Sequence, residues 1–301
     1  MTFKIAILGS DGQMGRAASA SLEASPTPFE IHLFGRDLDI CDAERLGQTL
    51  TALRPNIVLN CAAFTAVDAC EADAARAFAA NGTAVETVAK LCQILGACLI
   101  HLSTDYVFGD DAIPPLTEAT PTAPINIYGK SKTAGEVAIR AILPAHIILR
   151  TSWIYGPDAG NFFATMMALG ATREVVKVVE DEVSSPTLAT DLADCILAVC
   201  QRITAGTPVF GTFHVSGVEG ISRYDFARAI MVARKDAGLP FARVEPTTQA
   251  QFGAAARRPR DSRMDCTAFA KAYKTVPRGL SLCLPSLVSQ LASKLPLGVK
   301  V

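Results

Sequence analysis

The chain has 301 residues, half of them hydrophobic, and its 28 Lys and Arg against 29 Asp and Glu leave a formal net charge of -1. This length suits one large domain with a smaller appendage, and the near-neutral charge argues against a nucleic acid or a membrane surface as a partner. No run reaches the ~18 apolar residues that would span a bilayer.

Short β-rich runs alternate with longer helical patterns through about residue 150. The predicted elements are, in chain order, a strand at 4–8, a helix at 13–24, a strand at 31–34, a helix at 42–53, a strand at 57–60, one or two helices within 72–96, a strand at 98–102 and a strand at 147–150. Strands that alternate with helices pair in parallel, and strands without polar alternation are covered on both faces. We therefore predict an α/β fold with a Rossmann-like, doubly wound parallel sheet.

The pattern is less regular after residue 150. It predicts a helix at 161–170, a strand at 175–179, a helix at 190–203, a strand at 212–215 and a helix from Ser222. We expect residues 1–155, with part of 180–220, to form the Rossmann domain, and residues 156–301 to form mainly a smaller C-terminal substrate-binding lobe.

Three glycines follow the first predicted strand, in the segment from Gly9 to Gly15. Glycines at this place let the backbone approach a pyrophosphate at the N-terminus of the next helix. The spacing is looser than the common dinucleotide motif, and a purely structural turn is the alternative. The residues that we assign to cofactor binding here are Gly9, Asp11, Gly12, Gln13, Met14 and Gly15.

The segment after the second strand carries both Arg36 and Asp39. An acidic residue here selects NAD through the ribose diol, whereas arginine accommodates the 2′-phosphate of NADP. We predict NADPH, with NADH left open, and a solvated Arg36 is the alternative. Ala62, Ala63 and Thr65 follow the third strand and would line the middle of the cofactor; tight helix–strand packing explains the alanines equally well.

Tyr128 and Lys132 form the only Tyr-x-x-x-Lys of the chain. Residues four apart share a helix face, so we expect the ammonium to favour tyrosinate and to lower the phenol pKa. Thr104, at the end of the fourth strand, could hydrogen-bond a substrate carbonyl opposite this phenol. A solvated helix and a strand-ending hydroxyl are the structural alternatives.

Several motifs occur in a characteristic order. They are Gly12-Gln13-Met14-Gly15, the segment 60–68, Ser103-Thr104-Asp105-Tyr106-Val107-Phe108, Tyr128-Gly129-Lys130-Ser131-Lys132, the segment 150–156, Ser185-Pro186-Thr187 and the segment 258–262. Together they resemble the extended short-chain dehydrogenase/reductases, and among these the dTDP-4-dehydrorhamnose reductase family.

The resemblance implies a general acid at Tyr128, with Lys132 lowering its pKa and holding the nicotinamide ribose, and with Thr104 orienting the carbonyl. NADPH would deliver hydride to C4 of dTDP-4-dehydro-L-rhamnose and give dTDP-L-rhamnose. The residues that would contact this dTDP-sugar are Val67, Thr104, Asp105, Tyr106, Trp153, Asn161 and Arg258. A core anchor at Trp153 and a surface arginine pair at Arg258 are the alternatives.

Two features depart from related enzymes. Tyr106 stands where nucleotide-sugar dehydratases carry a glutamate, so the base for dehydration is missing. Ala17 and Thr190 stand where some relatives carry acidic ligands for a bridging Mg²⁺, so we predict no metal and a monomer or weak homodimer. Another nucleotide-sugar ketoreductase or epimerase, and a non-catalytic regulatory subunit of the same fold, remain open.

The nine cysteines show no zinc-like spacing. Most lie in apolar segments, among them Cys61, Cys92, Cys98, Cys195 and Cys200, and we interpret them as reduced core thiols. Because the N-terminal residues also lack the features of a signal peptide, a cytoplasmic protein is expected.

Overall fold

A computed structural model describes residues 2–158 and 160–294 of the chain. The strands are β1 Phe3–Leu8, β2 Phe29–Phe34, β3 Ile57–Asn60, β4 Cys98–Thr104, β5 His146–Thr151, β6 Ile154–Tyr155, β7 Val175–Val179, β8 Val183–Ser184, β9 Thr187–Leu188, β10 Gly211–His214, β11 Ile221–Ser222 and β12 Arg243–Thr247. The helices are α1 Gln13–Glu23, α2 Ala43–Leu53, α3 Val67–Ala72, α4 Ala74–Phe78, α5 Ala84–Leu95, α6 Ile127–Ile142, α7 Phe162–Thr172, α8 Ala189–Thr204, α9 Arg223–Asp236, α10 Gln249–Phe252, α11 Thr267–Tyr273 and α12 Leu280–Lys294. A π-helical turn at Ala79–Thr83 joins α4 to α5, and a 3₁₀ turn at Asp105–Val107 follows β4.

Within the described residues, six strands form one parallel sheet in the order β10-β5-β4-β3-β1-β2. The chain moves from β1 to one edge through β2 and then returns to build the other side from β3 onward. The predicted doubly wound α/β sheet is therefore confirmed. In such sheets the crevice lies outside the carboxyl ends of the strands, where the winding direction reverses. That position is between β1 and β3.

The sheet is covered on both faces, as its uninterrupted apolar strands predicted. In β1, Ile5 and Ile7 pack with α1, α8 and α11, whereas Ala6 and Leu8 pack with α2, α5 and α6. All four are 0% exposed. Because successive side chains of the strand point to opposite faces of the sheet, they contribute to two separate hydrophobic cores.

A smaller lobe is built mainly from α7, α9, α12 and the short sheets β7–β12 and β8–β11. Aromatic rings from Tyr155, Phe163 and Phe226 pack at its centre. The chain returns from this lobe to the main sheet twice, since α8 and β10 and then α11 pack on the first core.

Four of the cysteines expected in the core are buried there: Cys92, Cys98, Cys195 and Cys200. Cys61 is only half-buried, because it follows β3 at the crevice. No helix of the described residues is both long and apolar enough to cross a membrane.

A buried ion pair fastens α6 to β5. Glu136 is 0% exposed and accepts two hydrogen bonds from Arg150, at 2.9 Å and 2.6 Å, and one from Ser103 at 2.6 Å. Burial alone would raise the pKa of Glu136, but the hydrogen bonds from Arg150 and Ser103 outweigh it, so the pKa is lowered below 4.5. The carboxylate is therefore ionised and locks the helix to the sheet.

We predict that Glu136→Gln lowers the free energy of unfolding by roughly 3–5 kcal/mol, because the buried charge of Arg150 loses its ionised partner. A lowered native pKa means that this carboxylate stabilises the fold above about pH 4.5 and that the contribution is lost as the pH falls through the native pKa. Urea unfolding measured across this range should show a weaker pH dependence in the variant.

The matched control is Glu86→Gln, which breaks the exposed pair of Glu86 with Lys90, 2.6 Å apart on α5. It should cost less than about 0.5 kcal/mol. Equal losses in the two variants would contradict the role given to the buried pair.

Candidate active site

The glycine loop between β1 and α1 is shaped by close backbone contact. Gly9 has φ +76°, and a Cβ there would lie 2.7 Å from the backbone nitrogen of Ala62. At Gly15, a Cβ would lie 2.5 Å from the Cα of Ser10. Gly12 is the N-cap residue of α1 and offers no side-chain cap, so no side chain of this residue occupies the first amides of the helix, as an anion site requires.

A cavity of about 730 Å³ lies along this loop and the ends of β2 and β3. The predicted cofactor residues that line it are Gly9, Asp11, Gly12, Arg36, Asp39, Ala62 and Ala63. Arg36 and Asp39 are both exposed, and the backbone N–H of Arg36 donates to Asp11 at 2.8 Å. The arginine and the acidic residue thus border the same cavity.

Arg76 of α4 also lines this cavity, with its guanidinium 4.6 Å from the ring centroid of Phe64. Arg76 is not among the residues predicted from the sequence, since it lies 40 residues beyond Arg36 and belongs to no motif. Nothing in the sequence of this helix indicates that the side chain of Arg76 lies near the end of β2.

A second cavity of about 410 Å³ adjoins the first, because Gly12, Cys61 and Ala63 line both. The predicted residues that line this second cavity are Gly12, Gln13, Met14, Ala63, Thr65, Val67, Thr104, Asp105, Tyr106, Tyr128, Lys132, Trp153 and Asn161. Of all the predicted site residues, only Gly15 and Arg258 line neither cavity. The two cavities form one crevice at the predicted position between β1 and β3.

Tyr128 lies in the first turn of α6, which Asn126 caps by accepting a 2.7 Å hydrogen bond from Gly129. A Cβ at Gly129 would meet the carbonyl of Tyr106, so glycine lets the helix start pack directly on the segment after β4. The rings of Tyr128 and Tyr106 meet edge to face, with centroids 6.0 Å apart. This contact brings Tyr128 beside Thr104.

The pKa of Tyr128 departs from expectation. Desolvation of the hydroxyl raises this pKa above 10, a hydrogen bond with Thr104 lowers it, and the nearby Asp105 raises it. The expected lowering by Lys132 is therefore wrong for this structure. Nζ of Lys132 donates instead to the carbonyl of Leu102 at 2.6 Å and lies 3.2 Å from Nε2 of His101.

Asp105 is buried beneath Thr104. Its carboxylate accepts hydrogen bonds from Thr104 at 3.1 Å, Ser184 at 3.1 Å and Ser262 at 2.6 Å. Burial raises the pKa of Asp105 to about 6, although these three hydroxyls lower it in part. One carboxylate thus ties the end of β4 to two segments of the smaller lobe.

The lobe closes the second cavity with a stacked pair, of which Trp153 was predicted from the sequence and Arg223 was not. The Arg223 guanidinium lies 3.7 Å from the ring centroid of Trp153 and 3.6 Å from the carboxylate of Glu182. Trp153 has φ +40°, an uncommon conformation for a non-glycine residue that is typical of functional sites. The sequence predicted a helix from Ser222, where α9 is capped, but not that Arg223 lines the crevice.

Asn161 and Arg258 have structural partners. Asn161 caps α7 by accepting from Ala164 at 2.9 Å and donates to the carbonyls of Gly156 and Asp158. Arg258 pairs with Asp68 at 2.7 Å and lines a neighbouring cavity of about 360 Å³. A direct contact of either residue with the substrate stays a prediction.

Two buried polar atoms of the described residues have no hydrogen-bond partner, Gln13 Nε2 and Thr151 Oγ1. Both residues line the second cavity. An unsatisfied buried polar atom is costly, so this wall suits a polar ligand. No group of three or more His, Cys, Asp or Glu suited to a metal ion occurs among residues 2–158 and 160–294.

Comparison with known proteins identifies the family. Residues 3–293 match the RmlD substrate binding domain family. A dTDP-4-dehydrorhamnose reductase of Escherichia coli (strain K12) is 36% identical over 279 residues, covering 90% of this chain and 92% of that protein. The chain therefore belongs to the family that includes this reductase.

Solved structures of the same family are similar to this chain over nearly its whole length. The dTDP-4-dehydrorhamnose reductase of Bacillus anthracis str. Ames, in complex with NADP, has a TM-score of 0.87 and 34% identity, covering 96% of this chain and 100% of that one. The corresponding protein of Clostridium acetobutylicum ATCC 824 has a TM-score of 0.88 and 34% identity, covering 96% and 99%.

We predict that Asp105→Asn changes the pH dependence of stability. The native pKa of about 6 lies above the usual aspartate value of 3.8, so Asp105 contributes stability below about pH 4 that is lost as the pH rises through about 6. When the pH is raised from about 4 to about 7.5, the unfolding free energy of the wild type should fall relative to that of the variant by an amount on the order of 2 kcal/mol. Urea unfolding at the two pH values measures this difference. Asp194→Asn, at an exposed carboxylate, is the control and should leave the difference unchanged.

Proposed function

We propose that this chain reduces the C4 keto group of dTDP-4-dehydro-L-rhamnose to dTDP-L-rhamnose with NADPH. The observation that carries the proposal is that Thr104, Tyr128 and Lys132 line one cavity, which adjoins the cavity of the glycine loop. The membership of the chain in a family of enzymes named for this reaction supports the substrate.

The crevice fits a dinucleotide. A side chain at Gly9 would fill the space between the loop and Ala62, and the α1 N-terminus offers amides to a pyrophosphate. When bound, NADPH supplies the hydride. Arg36, with Arg76 nearby, would hold the 2′-phosphate, and the Asp39 carboxylate at the same cavity leaves room for NADH as a weaker alternative.

Tyr128 is the proton donor in this proposal. Reduction of a ketone requires a proton at the oxygen, and a phenol whose pKa is raised by burial carries that proton at neutral pH. Thr104 lies beside the phenol and can hydrogen-bond the same oxygen. Thr104 is held in place because its hydroxyl accepts from the Tyr106 amide at 3.1 Å.

The sugar would lie against Val67, Tyr106 and Trp153, which line the second cavity. An aromatic wall suits the apolar face of a deoxysugar. Arg223 gives this wall a cation that could meet the diphosphate, with Arg258 further along. Tyr106 offers no carboxylate base, which favours reduction over dehydration.

The assignment of residues 1–155, with part of 180–220, to the cofactor and of 156–301 mainly to the substrate belongs to this proposal. So do a cytoplasmic location and a monomer or weak homodimer. The packing of α8 and β10 on the main sheet supports the division, and α11 would join them.

Purified protein mixed with NADPH and dTDP-4-dehydro-L-rhamnose should oxidise NADPH, and NMR of the product should show the C4 configuration of L-rhamnose. The opposite configuration would indicate a different nucleotide-sugar ketoreductase. Absence of oxidation by well-folded protein would favour a non-catalytic binding subunit.

Tyr128→Phe should lower kcat by about 100-fold or more, because only the proton donor is lost. Its affinity for NADPH, measured by fluorescence titration, should stay within about twofold of the wild type. Tyr224→Phe removes a phenol hydroxyl on α9 outside both cavities and should leave kcat unchanged. Turnover retained by Tyr128→Phe would refute the assigned role.

Gly9→Ala should weaken NADPH binding by at least about tenfold, because its Cβ needs the space against Ala62 and a positive φ disfavours alanine. Gly96→Ala is matched, since Gly96 also has a positive φ, of +67°, but nothing lies within 4 Å of its Cβ. It should lose about 1 kcal/mol of stability and keep its NADPH affinity. A similar affinity for both variants would contradict the placement of the cofactor.

A further inference from the structure

A continuous line of hydrogen bonds runs beneath the crevice from a backbone amide to the Lys132 side chain. Asn60 and His101 are directly opposite each other on β3 and β4, and both are 0% exposed. Asn60 Nδ2 lies 3.2 Å from His101 Nδ1, and His101 Nε2 lies 3.2 Å from Lys132 Nζ. Neither Asn60 nor His101 lines the crevice, and neither was assigned to cofactor or substrate binding.

The direction of these hydrogen bonds is fixed at one end. The Ala62 backbone N–H donates to Asn60 Oδ1 at 3.0 Å, and a backbone amide can only donate. This bond orients the Asn60 amide so that its NH₂ group faces His101. Because Nδ2 has no acceptor capacity, His101 Nδ1 must accept, and a neutral imidazole then carries its proton on Nε2.

The Nε2 proton of His101 points at Nζ of Lys132, so this contact is favourable only if Nζ accepts a hydrogen bond. An ammonium has three donors and no acceptor, so a charged Lys132 would oppose one N–H to another at this contact. An uncharged amine has a lone pair that accepts from Nε2. The remaining strong contact of Lys132, to the carbonyl of Leu102 at 2.6 Å, suits either form because both can donate.

We propose that Asn60 and His101 are positioning residues that stabilise the uncharged amine of Lys132, through a donor direction set by the Ala62 backbone amide. Lys132 is then a group that gains and loses a proton, not a permanent cation.

The other groups around Lys132 are consistent with this. Glu136 faces it from the same helix and favours the ammonium, but Glu136 is already bound to Arg150 of β5. Cys61 faces it from the segment after β3, and Tyr128 lies one turn earlier on α6. Burial lowers the pKa of Lys132 to about 8, with Glu136 and Cys61 opposing the shift, and burial also lowers the pKa of His101 well below 6.5, which keeps its ring neutral.

The inference deepens the proposed function, because Lys132 stands beside the proton donor there. Its test needs neither substrate nor nucleotide, so it succeeds or fails independently of the reductase activity.

The first measurement is the tautomer of His101 by ¹⁵N NMR of protein labelled at the histidine rings, with signals assigned by His101→Asn. We expect the proton on Nε2 across about pH 6 to 9. His214 is an internal control, since its Nδ1 lies 3.0 Å from the carbonyl of Leu116 and must carry the proton. The proton of His101 found on Nδ1 in the wild type would overturn the proposal, whatever the variants do.

The second measurement uses Asn60→Asp, which keeps an acceptor for the Ala62 amide and turns the other donor into an acceptor. His101 should change to the Nδ1 tautomer, and the Lys132 pKa, followed by NMR of ¹³Cε-labelled lysine, should rise by at least about one unit. Leu99→Ala, a fully buried neighbour on β4, should lower stability without moving either signal. A rise of the Lys132 pKa with an unchanged His101 tautomer would mean that the new charge acts alone and would reject the role of the hydrogen-bond direction.

Discussion

The attachment of α6 to the sheet is the constraint on which the crevice depends. Tyr128, Lys132 and Glu136 follow one another at intervals of four along this helix, so they share the face that packs on β4 and β5. Glu136 forms the buried pair with Arg150. This pair fixes the rotation of α6 about its own axis and its position along β5. It thereby helps to place Tyr128 beside Thr104.

The sequence predicted most of the fold and of the crevice, because both follow from local rules. Apolar runs without polar alternation require cover on two faces, and the carboxyl ends of parallel strands meet at one edge of the sheet. Residues at the carboxyl ends of β1, β3 and β4 therefore had to converge, as Gly9, Ala62 and Thr104 do. No knowledge of distant contacts was needed for these positions.

Long arginine side chains could not be predicted in the same way. Arg76, Arg223 and Arg258 reach their partners from α4, α9 and a loop, and the partner of each lies on a different segment of the chain. Arg258 illustrates the limit, because its pair with Asp68 joins residues 190 positions apart. A motif can name such an arginine but cannot state which group its guanidinium meets.

The tyrosine–lysine pair shows why spacing alone does not give a pKa. The interval of four correctly places Lys132 on the face of Tyr128, yet proximity along a helix does not decide where a flexible ammonium binds. The Leu102 carbonyl and His101 hold Lys132 against β4, and desolvation then dominates the pKa of both side chains. A raised phenol pKa and a lowered amine pKa move the two groups apart in acidity, so the phenol holds its proton more firmly while the amine releases its own more readily. The buried network beneath the crevice thus helps to set the protonation of Lys132, although Asn60 and His101 do not line the crevice themselves.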